Sequence, residues 1–197
     1  MTIDMAHEDE RDQRTGSVLW HVTMSLDGFI AGPHDAMEWV FDYTEPSDAV
    51  DEVIRTTGAL LIGRRSYYVG RREEQIAAAS EPYGGAWTGP QFVIKHEPPE
   101  PADDPSVTFV SGDLSEAVEQ ALEAADGKNV VLIGATVARL AIDEGLVDEI
   151  VVHLAPILLG DGVRLFERTG PPVKLERTSV AGAGQVTDMW FRVLKDA

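Results

Sequence analysis

The chain contains no cysteine, which excludes disulfides, thiolate catalysis and cysteine-ligated zinc or iron–sulfur centres. Basic residues are scarce: 16 Lys and Arg stand against 34 Asp and Glu, a formal net charge of -18. A surface of that sign repels phosphate backbones and anionic lipid headgroups, so neither nucleic acid nor membrane is an expected partner. No apolar run reaches the roughly 18 residues of a membrane span. The opening MTIDMAHEDERDQRTG is acidic where a signal peptide is basic and then apolar, and the expectation is a cytoplasmic protein. Metal-ligand spacing is also missing. His21 and His153 lie in strand-like runs with no second His or carboxylate at ligand spacing, so each is read as a core or cleft histidine and no metal site is expected.

What remains is the composition of a packed domain. The 197 residues are 44% hydrophobic and 25% charged, enough for one core but cramped for two. Residues 1–16 carry Asp4, Glu8, Asp9, Glu10 and Asp12 with little apolar surface and read as a mobile acidic tail before a single domain over 17–197. Val18 to Ser25 alternates as a strand and runs into LDGFIAGPHDA, whose two glycines and proline predict a loop. Ser47 caps a helix that ends near Gly58, and short strands are predicted at 59–62, 92–95 and 107–110. An amphipathic helix follows Asp113, then a strand at 130–133, a helix over 137–144 and a strand over 149–155. This βα alternation predicts an α/β sheet, mostly parallel. The runs 173–181 and 185–194 close it as an antiparallel hairpin with a three-residue loop, Gly182 to Gly184.

Charge is unevenly placed. Five arginines (Arg55, Arg64, Arg65, Arg71, Arg72) and no acid or lysine lie between Val53 and Arg72. Arg64 and Arg65 follow a strand at a predicted helix start, where free amides and guanidinium forks suit phosphate oxygens. The alternative is that they pair with the surplus carboxylates. Ile133-Gly134-Ala135-Thr136 is a second strand-to-helix turn at which backbone can approach a diphosphate, and two such turns point to a phosphorylated dinucleotide, NADPH rather than NADH. Asp27, at the carboxyl end of the first strand, is either a substrate-binding carboxylate or part of a plain Asp-Gly turn.

In order, SLDGFIAG, Trp39, LIGRRSYY, VLIGATVARLAIDEGLVDEI and HLAPILLGDGVRLF resemble the dihydrofolate-reductase-like family that includes the reductase domain of the riboflavin-biosynthesis deaminase/reductase. The resemblance implies a mostly parallel central sheet with flanking helices and a C-terminal antiparallel hairpin. It implies an NADPH-dependent reductase passing hydride to a small heterocyclic or ribosylamino substrate of the 5-amino-6-(5-phosphoribosylamino)uracil type, working as a homodimer. It places Gly63, Arg64, Arg65 and Ser66 at the cofactor phosphates, and Gly134, Ala135, Thr136 and Val137 under the diphosphate. Ser25, Asp27, Gly28, Phe29 and Trp39 would line the substrate, with Asp27 the catalytic candidate. Two positions depart from the riboflavin reductases, Phe29 where they carry lysine and Ile133 where they carry glycine. A dihydrofolate or pterin reductase, and a non-catalytic NADPH-binding protein, are the alternative readings.

Overall fold

The structure, a computed structural model, describes residues 16–69, 71, 81–95 and 102–195. The expected tail at 1–16 lies outside them except for Gly16, as do Arg72 and part of the proline-rich loop before Pro105. Among the described residues the strands are β1 (Val18–Ser25), β2 (Phe29–Ala31), β3 (Thr57–Gly63), β4 (Gln91–Ile94), β5 (Val107–Val110), β6 (Asn129–Ile133), β7 (Glu149–Ala155), β8 (Val163–Arg164), β9 (Lys174–Ala183) and β10 (Val186–Leu194). The helices are α1 (Asp48–Thr56), α2 (Arg64–Val69), α3 (Leu114–Ala124) and α4 (Ala135–Asp143), with short 3-10 turns at Pro33–Asp35, Glu38–Tyr43 and Pro82–Gly85.

Eight strands form one sheet in the order β5-β4-β3-β6-β1-β7-β10-β9. The first six are mutually parallel, and β10 and β9 are antiparallel. The chain starts in the middle at β1, steps outward to β3, β4 and β5, then returns to insert β6 between β3 and β1. Reversals of this kind open a crevice at the carboxyl ends of the central strands, because successive connections leave in opposite directions.

Alternation within each strand assigns the two faces. Trp20, Leu61, Val130 and Leu132 pack with Val118, Ala138 and Ala141 of α3 and α4. Leu19, Leu60, Val131 and Val151 pack on the other face with Val53 of α1 and Tyr67 of α2. α1 starts where expected because the Ser47 hydroxyl accepts from the amides of Ala49 and Val50, two donors with no partner inside the helix.

Three expectations are corrected. LDGFIAGPHDA is not all loop: Phe29–Ala31 forms β2, pairing antiparallel with β8, which lies too far along the chain for local composition to reveal. The hairpin loop has two residues rather than three, since Gly182 and Ala183 stay in the ladder opposite Thr187 and Val186. Gly184, with φ of 57°, takes the first loop position, where a positive φ matches the twist of the strands. α4 begins at Ala135, two residues before the expected start, because Gly134 serves as its cap.

Candidate active site

The turns after β3 and β6 lie side by side because those strands are parallel neighbours with Ile62 opposite Ile133. Gly134 has φ 112° and ψ 140°, a backbone conformation that side chains resist. A Cβ there would come within 2.4 Å of Ser66 Oγ, so the two turns touch through the missing side chain. No side chain caps α4. Its first amides have no partner within the helix, and the helix dipole adds positive potential, so the turn is a cradle for an anion.

In front of it opens a cleft of about 570 Å³, within the size range of small-molecule sites. Its lining includes Asp35, Arg65, Thr136, Arg139, Asp161 and Arg164. Of the expected cofactor residues, Arg65, Ala135 and Thr136 line this cleft directly. Gly63 and Val137 sit behind Gly134 and Ser66, in the contact between the turns. Arg64 is exposed and not among the lining residues, its guanidinium 5.9 Å from the Tyr68 ring centre. Arg65 is engaged: its NH2 lies 2.5 Å from Asp35 Oδ1 and its Nε 2.9 Å from Asp35 Oδ2. Pairing with a carboxylate, the bland alternative, thus accounts for part of the arginine cluster. The pair nonetheless stands in the cleft with the Arg65 side chain 71% exposed, so a phosphate can compete for it.

The expected substrate residues form a second group, at the end of β1. Ser25 is fully buried; its hydroxyl donates to Asp27 Oδ1 at 2.6 Å and accepts from the Phe29 amide at 2.9 Å. Asp27 also accepts from the amides of Leu159 at 3.1 Å and Gly160 at 2.7 Å. Donors on both oxygens, the Ser25 hydroxyl first, hold its carboxyl down at about 2. Asp27 is therefore a standing anion that anchors the segment after β7. Gly28 adds to the seam by accepting from the Leu165 amide at 2.9 Å. Phe29 is buried, and the Arg164 guanidinium lies 4.8 Å from its ring centre. Trp39 is 8% exposed, and its Nε1 is buried with no hydrogen-bond partner among the described residues. Both groups lie at the carboxyl ends of central strands.

Replacing Asp27 by Asn is expected to speed hydrogen exchange at the Leu159 and Gly160 amides about tenfold or more, leaving β1 and β6 unchanged. In the unaltered protein that protection should persist on acidification until the pH approaches 2. The folded value lies below that of the unfolded chain, so the anchor's contribution is complete above about pH 4 and fades only as Asp27 protonates. Loss of protection already at pH 4 would show that Asp27 is not the anchor.

Sequence reasoning missed one constellation. His21 and His153, taken as two separate histidines, meet with 2.6 Å between their Nε2 atoms. The signal was present only as strand parity, which carries no information until the β1–β7 register is known.

The model of the RibD C-terminal domain matches residues 17–187. The chain belongs to the RibD C-terminal domain family. Among solved structures it is similar to a putative riboflavin biosynthesis protein from Shewanella sp. PV-4, with 20% identity and a TM-score of 0.74 over 91% of this chain and 99% of that one. It is similar to the Thermotoga maritima diaminohydroxyphosphoribosylaminopyrimidine deaminase/5-amino-6-(5-phosphoribosylamino)uracil reductase, with 16% identity and a TM-score of 0.65 over 93% and 58%. It is also similar to Enterococcus faecalis dihydrofolate reductase complexed with NADP(H), with 13% identity and a TM-score of 0.58 over 92% and 98%. RibD and dihydrofolate reductase thus share its architecture, a mainly parallel sheet with flanking helices and antiparallel C-terminal strands. No helix among the described residues is long and apolar enough to cross a membrane.

Proposed function

We propose that this member of the RibD C-terminal domain family is an NADPH-dependent reductase acting on a small heterocyclic or ribosylamino substrate. The observation that carries the reading is the convergence of two turns on one cleft. The uncapped start of α4 behind Gly134 fits a diphosphate, and Arg65, in the cleft, fits a 2′-phosphate, with Arg64 an exposed cation outside the cleft lining. NADPH, when bound, supplies a hydride from its nicotinamide. The chain's own part is to hold the phosphates on backbone amides and guanidinium groups, and to fix the substrate end through the Asp27 seam. The Trp39 Nε1, buried with no hydrogen-bond partner among the described residues, supports a donor role toward a substrate carbonyl.

Where a lysine stands in the riboflavin reductases, the Arg164 guanidinium lies over Phe29. A cation is thereby kept at the mouth, which supports a phosphorylated substrate over an uncharged pterin. The reading includes a second copy of the chain as partner. β9 is an edge strand exposed along nearly its whole length, with Leu175 and Val180 uncovered, and such an edge favours pairing.

Titration of tryptophan fluorescence tests the cofactor directly. NADPH is expected to bind about tenfold to a hundredfold more tightly than NADH, the range given by charge-assisted hydrogen bonds to one extra phosphate. No binding, or equal binding, ends the reading. Loss of nicotinamide absorbance with the ribosylaminopyrimidine and with dihydrofolate, side by side, then separates the substrate classes. Binding with turnover of neither favours a non-catalytic NADPH-binding protein.

A further inference from the structure

At the far end of α4 one carboxylate serves two arginines. Arg139 NH1 donates to Asp143 Oδ2 at 2.9 Å, and Arg168 Nε, from the segment between β8 and β9, lies 3.1 Å from Asp143 Oδ1. Arg139 lines the cleft together with Ala135 and Thr136, whereas Asp143 and Arg168 lie outside its lining. As helix support the Arg139–Asp143 pair is poorly placed. Asp143 is the last residue of α4, where the helix dipole disfavours an anion, and an arginine four residues before an acid is the weaker order of such a pair.

The sharing also leaves a donor stranded. Arg168 Nε is buried, and close as it is to Asp143, it makes no hydrogen bond among the described residues. A buried donor needs an acceptor, and the carboxylate beside this one is bonded to Arg139. If Arg139 lets go, Asp143 is free to align with Arg168 Nε, and the carboxylate keeps a cation throughout. Release of Arg139 therefore strands no charge and satisfies a buried N–H. The place it can move to is set by the helix. Residues three and four apart share a helix face, so Ala135, Thr136 and Arg139 stand on one side of α4. A helical side chain lies over the turn before its own Cα, which for Arg139 is the turn of Ala135 and Thr136, where the first amides have no partner within the helix.

We propose that Arg139 is a diphosphate-binding arm: Asp143 holds it, a diphosphate at the start of α4 takes it over, and Arg168 inherits the carboxylate. The choice of a dinucleotide as the natural source of that diphosphate rests on the NADPH reading above; the exchange of partners rests on the geometry of the three side chains. A guanidinium presents parallel N–H donors in a planar fork, which suits the oxygens of two linked phosphoryl groups. Together with the open amides of α4 it closes around the anion from a second side. The role differs from that of Arg65. Only NADPH carries a 2′-phosphate, whereas NADPH and NADH both carry the diphosphate, so Arg65 discriminates between them and Arg139 binds what they have in common.

Inorganic pyrophosphate titrated into nitrogen-15-labelled full-length protein tests the arm without a nicotinamide. The Ala135 and Thr136 amides and the Nε resonances of Arg139 and Arg168 are expected to shift along one saturation curve. Arg139→Ala should weaken pyrophosphate about tenfold, the loss of one charge-assisted hydrogen bond. Asp143→Asn should tighten it by no more than about a few-fold, because a weak competing pair is gone. Amide shifts with Arg168 Nε unmoved, or unchanged affinity in Arg139→Ala, overturn the arm. So does weaker binding by Asp143→Asn, which would make the carboxylate a support rather than a competitor. The Arg139 side chain is 34% exposed, but if its variant fails to fold, Asp143→Asn and the Arg168 Nε shift decide. NADPH and NADH titrated into the same proteins separate the two readings. Arg139→Ala should weaken both by the same factor, and a loss confined to NADPH overturns the diphosphate assignment. Dinucleotide binding that ignores Arg139 sinks the arm only. Pyrophosphate held through Arg139 with neither dinucleotide bound sinks the cofactor reading only, and binding of none of the three sinks both.

Discussion

Gly134→Val is expected to destabilise the protein by about 1–3 kcal/mol and to weaken NADPH binding at least about tenfold. Two causes act together. At φ 112° and ψ 140° any side chain is strained. The new Cβ also meets Ser66 Oγ at 2.4 Å, so the Ser66 side chain must turn away or the turn must shift. A shift moves the Ala135, Thr136 and Val137 amides, which hold their positions only because Gly134 does. Gly63→Ala is the control. Its Cβ would have nothing closer than 3.7 Å, an ordinary van der Waals distance, and its φ is not positive. Urea denaturation and NADPH titration of the two variants should diverge, with Gly63→Ala close to the unaltered protein. Equal behaviour would mean that the α4 turn does not cradle the cofactor.

Arg64→Ala combined with Arg65→Ala is expected to reduce NADPH affinity about tenfold to a hundredfold and to leave NADH affinity nearly unchanged, because charge-assisted hydrogen bonds to the 2′-phosphate are lost alone. Asp35→Asn should act in the opposite direction. It releases Arg65 from a carboxylate held at 2.5 Å and removes a negative charge from the cleft. The gain should be no more than a few-fold, since the Arg65 side of the pair is largely exposed and such pairs contribute at most about 1 kcal/mol. Asn also tolerates the φ of 66° at this position. If the double variant loses NADPH and NADH alike, the arginines support the fold or the diphosphate and do not select the 2′-phosphate.

Both predictions depend on residues named from the chain alone, and both needed coordinates to acquire a sign. Gly63 and Gly134 look alike in sequence, each a glycine between a strand and a helix. Only backbone geometry shows that one position requires glycine and the other does not. Arg64 and Arg65 are neighbours in a basic run, yet one lines the cleft in a carboxylate's grip and the other lies outside its lining near Tyr68. Asp27 was legible as a carboxylate at a strand end. Its use as an anchor was not, because its partners Leu159 and Gly160 lie 132 and 133 residues away.

Sequence by itself determined the elements and their class. Alternation identified β1, a short apolar run identified β6, the Ser47 cap started α1, helical spacing of apolar residues after Asp113 marked α3, and the order of elements implied a parallel sheet ending in a hairpin, since these signals act within a few residues. It determined the sign of the surface as well, -18 overall with a local run of arginines. Tertiary structure alone decided which groups touch. The β1–β7–β10 register joins His21 to His153 and Asp188, and the return of β6 beside β3 sets Gly134 against Ser66. Contacts of this kind depend on separations of about 3 Å between groups that lie far apart along the chain. Pairing register sets those separations, and it is a property of strands in contact rather than of any one segment.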